Sequence, residues 1–246
     1  RTSSSAASDV YKRQIMSKVR SAALTTFFAL FILTLSLGIW QINRGYEKRE
    51  LENTFSFQQS YPVEEITYNL DSKINLYRNI SIRGRFLQNL FYLDNKIYDG
   101  KPGVVVLSPF ELEDGSAIIV SRGWVEMQDR QNFMKIETPN EIMSIVGTLR
   151  PASSGLTLSN DTTLKLDDNF FLIQSLAIKE MEEIVGINFK PFVLELSDLS
   201  PAAFTSIWKP INLSSYRHFG YAAQWFGLSL VIVLGVFVYL FRGKSK

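Results

Sequence analysis

Two stretches of this chain run without a charged residue for the length of a bilayer crossing, and the chain between them alternates. Residues 22–40, AALTTFFALFILTLSLGIW, and residues 221–241, YAAQWFGLSLVIVLGVFVYLF, are both of that kind. About 20 apolar residues in a helix cross a ~30 Å hydrocarbon core, so both predict transmembrane helices. A cleaved signal peptide is the alternative for the first, but Gly38-Ile39-Trp40-Gln41 stands where a small-x-small cleavage site would be needed. A buried core helix is the alternative for the second, and the basic RGKSK that follows it suits a membrane exit instead. Residues 1–21 are expected to be a disordered tail: the first fifteen resemble neither a signal nor a transit peptide, and Met16 reads as a natural start. The predicted organisation is a first span at 22–41, an intervening domain at 42–215, a second span at 219–241 and a basic tail at 242–246.

Between the spans the period changes. Charges alternate after Arg44, which extends the first helix to about Phe57, and Tyr61-Pro62 ends it; a short helix is expected near 63–70. Residues 76–87 then set Ile80 and Ile82 against Ser81, Arg83 and Arg85, the period-2 pattern of a half-buried strand. Further strands are predicted at 90–97, 103–112, 116–125, 142–150, 163–174 and 191–197, with Asp114-Gly115 as a hairpin turn. Residues 175–186 carry Leu176, Ile178, Met181, Ile184 and Val185 at helical spacing, with Gly186 as the stop. The fold class is α+β: two transmembrane helices flanking an antiparallel β-rich extracytoplasmic domain with a few short helices.

Composition narrows the chemistry. The chain has no cysteine, which excludes disulfides, thiolate metal sites and a cysteine nucleophile, and its one histidine excludes paired-imidazole metal sites. A net charge of +2 with no basic stripe argues against nucleic acid. No phosphate loop, dinucleotide fingerprint or nucleophile elbow occurs. The adjacent carboxylates Glu64-Glu65, Asp167-Asp168 and Glu182-Glu183 point apart on either a strand or a helix, so they read as solvated charges. No enzyme active site is visible.

Four stretches together resemble the Surfeit-locus (Surf1/Shy1-type) family of cytochrome c oxidase assembly proteins. LGIWQINRGYEK (37–48) is similar to the end of that family's first membrane helix. GRFL (84–87) with GKPGVVVLSPFEL (100–112) resembles its Gly-rich strand segment, with Ser108 where threonine is usual. AIIVSRGWV (117–125) resembles its Asn-Arg-Gly-Trp strand, with Ser121 for the asparagine, and GTLRP (147–151) its Gly-x-x-Arg strand. RHFGYAAQWFGL (217–228) resembles its entry to the second helix, with Tyr216 and Arg217 before His218. The resemblance implies an assembly factor and chaperone, not an enzyme, that binds haem a transiently and assists its insertion into oxidase subunit I. Its partners would be subunit I, haem a synthesis or delivery proteins and the lipid bilayer. A scaffold that holds oxidase intermediates without a cofactor is the alternative. A sensor ectodomain is disfavoured by the short tails.

His218, Tyr221, Ala222 and Trp225 fall on one helix face at i, i+3, i+4 and i+7, and Trp40 and Arg44 share a face of the other helix. Under the resemblance His218 is the iron ligand, Arg44 or Arg217 pairs with propionates, and Tyr221, Trp225 and Trp40 line the macrocycle. The competing reading is an interfacial aromatic belt in which His218 is merely polar. Arg122-Gly123-Trp124 is either a docking edge or a packed strand whose glycine permits close backbone approach.

Lys18 and Arg20 before the first span, and Arg242, Lys244 and Lys246 after the second, favour the cytoplasm for both tails; Arg44, Lys48 and Arg49 weaken the bias, but long domains cross largely regardless of charge. The expected location is the bacterial inner membrane, with the central domain in the periplasm. Reporter fusions at Ser153 and Lys246 should therefore report opposite sides, and the same side for both would refute the two-span arrangement.

Overall fold

Alternating apolar strands and long apolar helices appear as separate bodies in the computed structural model, which describes residues 3–66, 76–127, 133–152, 163–210 and 213–242. The chain divides into two compact units, Arg1–Asn53 with Ile211–Lys246, and Thr54–Pro210.

The first unit is a pair of helices. Helix α1 runs Ser3–Gln59 and helix α3 runs Ser215–Arg242. Helix is thus present from Ser3, where a disordered tail was expected. Once a helix is nucleated each added residue gains a hydrogen bond at little cost, and the following span supplies the nucleus. The most apolar windows of the two helices are only 11% and 6% buried, which removes the soluble core helix as an explanation. What they do bury lies on one seam. On α1 the covered positions include Leu24, Phe27, Phe31, Thr34, Gly38, Gln41, Gly45, Lys48 and Glu52, in alternating steps of three and four. Ser215, His218, Ala222, Trp225, Ser229, Ile232, Val236 and Tyr239 make the same steps on α3. This 3.5-residue period is that of a helix pair with interlocking side chains.

The helices run antiparallel, and hydrogen bonds tie the seam at three levels. Ser215 donates from its backbone N–H and its hydroxyl to the Glu52 carboxylate (2.9 and 2.6 Å). Gln41 meets His218 at 2.8 Å. Thr34 and Ser229 join hydroxyls at 2.7 Å. Between these levels aromatic rings close over bare backbone: a Cβ on Gly38 would stand 2.6 Å from the Phe226 ring, and one on Gly45 equally close to Phe219.

The second unit is built on nine strands: β1 (Glu64–Ile66), β2 (Asn79–Phe86), β3 (Leu90–Tyr98), β4 (Lys101–Leu112), β5 (Ala117–Glu126), β6 (Met143–Pro151), β7 (Thr163–Asp167), β8 (Phe170–Ile173) and β9 (Phe189–Leu196). Helix α2, Ile178–Val185, ends on Gly186, whose left-handed backbone (φ 78°) lets its N–H reach the Glu182 carbonyl. Two sequence expectations change here. Glu64–Ile66 is a strand paired with β2, not the start of a helix, and residues 67–70 lie outside the described residues. The stretch 163–174 is two strands, β7 and β8, split by a turn at Asp168-Asn169. The sheet is also mixed: β1 with β2, β3 with β8 and β5 with β9 are parallel pairs.

The sheet order is β1-β2-β6-β9-β5-β4-β3-β8-β7, and an added β2–β4 pairing closes β2, β6, β9, β5 and β4 into a ring. All five strands supply one core cluster, including Ile82, Phe110, Val120, Leu149 and Leu194, as expected for the inside of a small barrel. The 12-residue β4 makes closure possible, pairing with β3 near its start and β2 at its end. Its even residues Val104 and Val106 pack in one cluster with Leu90 and Tyr92, and Val105 and Leu107 in another with α2's Met181. Coverage on both faces explains why GVVVLSPF reads as a continuous apolar run.

Arg122-Gly123-Trp124 is a packed strand segment. Gly123 sits at φ 115°, and a Cβ there would stand 2.7 Å from the Phe204 backbone. Residues 204–205 complete the strand edge, with Trp124 N–H donating to the Thr205 carbonyl at 2.7 Å. Trp124 is buried, and its indole N–H donates to the Lys96 carbonyl at 3.3 Å. Arg122 is 3% exposed. Its Nε donates to the Ala202 carbonyl at 2.8 Å, and the guanidinium lies over Phe86 and Phe204. Burial holds its pKa down to about 10, so it remains charged at neutral pH.

Two measurements check this architecture. Trp124→Ala should lose about 3–5 kcal/mol of domain stability, and Gly123→Val should likewise lower abundance and protease resistance; a variant of normal abundance that fails only in function would reinstate the docking edge. Because the chain has no cysteine, Thr34→Cys with Ser229→Cys should form a single intramolecular disulfide on mild oxidation, whereas Thr34→Cys with Val233→Cys should not. Equal yields from the two pairs would break the seam.

Candidate functional site

The first turn of α3 holds the only imidazole of the chain next to the most polar part of the seam. A helix start leaves four backbone N–H groups without partners; here Glu52, reaching from α1, takes the one at Ser215. His218 follows one turn later and faces α1. It is 7% exposed.

The His218 ring is held by one nitrogen. Nδ1 lies 2.8 Å from the Gln41 side-chain oxygen. An amide oxygen only accepts, so Nδ1 donates, and in the neutral ring Nε2 then carries a lone pair. Nε2 is buried without a hydrogen-bond partner. A buried polar atom left unpaired costs about 1–3 kcal/mol, which makes this nitrogen the feature of the helix pair that demands an explanation.

The other candidates named from the sequence surround this point less closely. Tyr221 is 46% exposed and Trp40 53% exposed. Trp225 is half-buried, and Arg217 is exposed. Arg44 is exposed and donates to Glu47 on its own helix at 2.6 Å. The face that enters the seam is thus His218, Ala222, Trp225 and Ser229, and Tyr221 lies at its outer margin. Trp40 and Arg44 share an exposed face of α1 beside the seam residues Gly38, Gln41 and Gly45.

Gln41, Glu52, Thr34 and Ser229 were not singled out from the sequence. Small or polar residues recur at three- and four-residue steps through and beyond an apolar run at 34, 38, 41, 45 and 52, and that spacing was the available signal.

Outside this pair, polar chemistry serves the fold. Among the carboxylate pairs, Glu64 meets Arg78, Asp167 meets Lys135, and Glu182 accepts from the Phe189 N–H. Among the described residues no three His, Cys, Asp or Glu side chains gather as a metal site would require.

Comparison with known proteins gives this arrangement a family. The sequence profile of the SURF1 family matches residues 28–230, from within the first span to about the middle of the second. A SURF1-like protein of Rickettsia prowazekii is 28% identical over 235 residues, 90% of this chain and 89% of that protein. One from Rickettsia bellii is 27% identical over 222 residues, 86% of this chain and 89% of the relative. A SURF1-like protein of Dictyostelium discoideum is 27% identical over 118 residues, 44% of each chain. Two long apolar helices and bacterial relatives of nearly matching length support a multi-pass protein of the inner membrane. The chain belongs to the SURF1 family, a family of cytochrome c oxidase assembly factors that are not enzymes.

Proposed function

We propose that this protein serves cytochrome c oxidase assembly by holding haem a for insertion into subunit I, with His218 as the iron ligand and the domain between the spans facing the periplasm. The observation that carries the reading is the unpartnered Nε2 of His218. A neutral imidazole with one nitrogen donated to a fixed acceptor and the other left as a lone pair is the donor form that an axial ligand takes. On that chemistry the residues fit the group.

Haem a, when bound, would supply an iron and a pair of propionate carboxylates. The chain's own residues would then divide the work. His218 offers Nε2. Arg217, exposed one residue earlier, offers a guanidinium to a carboxylate, as does Arg44 on release from Glu47. That release is cheap, since exposed ion pairs are worth only about 0–1 kcal/mol. Trp40, Tyr221 and Trp225 offer apolar faces. Because Nε2 is covered in the closed pair, loading requires the packing over that nitrogen to open. The need for such opening also suits transient carriage better than permanent residence.

That same closure favours a second reading, in which the protein is a scaffold for oxidase intermediates and His218 is a seam residue. A visible spectrum of the detergent-purified protein, expressed alongside haem a synthesis, separates the two. A histidine-ligated haem spectrum that falls at least about tenfold in His218→Ala, with membrane insertion unchanged, is expected. No haem in the wild type, or an unaltered spectrum in the variant, leaves the scaffold as the function.

A further inference from the structure

The lone pair on His218 Nε2 exists because of a residue on the other helix. An imidazole left to itself exchanges its proton between two nitrogens, and only one tautomer leaves Nε2 open. The Gln41 oxygen, 2.8 Å from Nδ1, accepts a proton there and offers nothing to Nε2. The local packing fixes this choice. Gly38 and Gly45 stand three residues before and four residues after Gln41, each covered by an aromatic ring of α3, Phe226 and Phe219 respectively. Ala222, one turn beyond His218, is buried at the same seam. Small residues at these positions let the helices approach closely, and across that seam the Gln41 amide meets the ring. An amide rather than a carboxylate is also what an apolar pair tolerates, since a buried charge would need further compensation.

We infer that Gln41 is the positioning residue for His218: it holds the imidazole as the Nδ1–H tautomer and so presents Nε2 as the ligand nitrogen. The role in haem binding rests on the reading of His218 given above; the tautomer itself does not. Partners that orient a ligating histidine through its second nitrogen affect affinity by about 10–100-fold when removed.

A single histidine makes the test direct. With nitrogen-15 in the imidazole, the haem-free protein in detergent has one pair of ring signals, read at about pH 8.5, well above the ordinary imidazole pKa. The wild type should show a protonated Nδ1 and a bare Nε2. Gln41→Leu, which keeps the bulk and removes the acceptor, should give a mixed or reversed tautomer and weaken His218-dependent haem binding about tenfold or more. Gln41→Glu, which keeps an acceptor, should retain the wild-type tautomer and shift the haem absorption bands. The Thr34→Cys, Ser229→Cys cross-link, carried in each variant, reports whether the helices still pair; if Leu unpairs them, Glu alone decides. An unchanged tautomer in a paired Gln41→Leu protein overturns the proposal, as does a changed tautomer with unchanged haem affinity. A wild type that binds no haem through His218, yet shows the Gln41-dependent tautomer, overturns the haem reading and leaves Gln41 as the residue that sets the ring.

Discussion

A polar atom buried between two apolar helices must find its partner within the protein, because lipid offers none. That requirement governs the helix pair. Thr34 bonds Ser229, Gln41 bonds His218 and Glu52 bonds Ser215, so each polar group on α1 fixes its counterpart on α3. Such bonds are worth less for raw stability, at about 0.6 kcal/mol on average between membrane helices, than for register. Sliding α3 by one turn would separate all three pairs, leaving the Thr34 and Ser229 hydroxyls only the carbonyls of their own helices. The glycines reinforce the same register, since Gly38 and Gly45 admit Phe226 and Phe219 only when those rings stand opposite them. In this fully matched seam, Nε2 of His218 is the exception.

The β domain meets a related constraint in another way. Its strand ring closes around an apolar cluster, yet one interior-facing position is Arg122, in phase with Ile118 and Val120 on β5. A guanidinium there is expensive to bury, and the depressed pKa reports that cost. It is offset by the Ala202 carbonyl and the faces of Phe86 and Phe204. Residues 200–205 are therefore part of the barrel's end, held by Arg122 below and by the Trp124–Thr205 pairing beside it. The positive φ of Gly123 lets one short segment meet both demands, placing a cation inside the ring and an indole outside it on consecutive turns of the strand.

How much of this was legible depended on how local the physics was. The two spans, the strands of the ring and the Gly186 stop follow from periods of 3.6 and 2 and from turn chemistry within a few residues, and they were readable. Ring closure was not, because the β2–β4 pairing joins Gly84–Phe86 to Phe110–Leu112 across the end of a long strand whose two halves read alike. The split between β7 and β8 was carried by Asp167-Asp168-Asn169, a polar turn cluster between Leu166 and Phe170 that the single predicted strand passed over. Parallel pairs such as β5 with β9 are set by crossovers that no local pattern encodes. At the site, His218 stood out by its rarity, whereas Gln41 looked like an ordinary polar residue closing an apolar run. Only the facing helix gives that amide its meaning.

The helix pair then has two properties that pull against each other. Full polar matching at the Thr34–Ser229 and Glu52–Ser215 levels holds α1 and α3 in one register. The middle level is flanked by Gly38 and Gly45 under the rings of Phe226 and Phe219, and it holds the unsatisfied Nε2 of His218. Rotating Phe219 or Phe226 away opens space over bare backbone without breaking either outer hydrogen bond. Under the proposed reading a donor reaches Nε2 with the Gln41–His218 bond and both outer bonds kept. The unpaired Nε2 supplies the bias, because any donor or metal that enters satisfies an atom the closed state leaves bare.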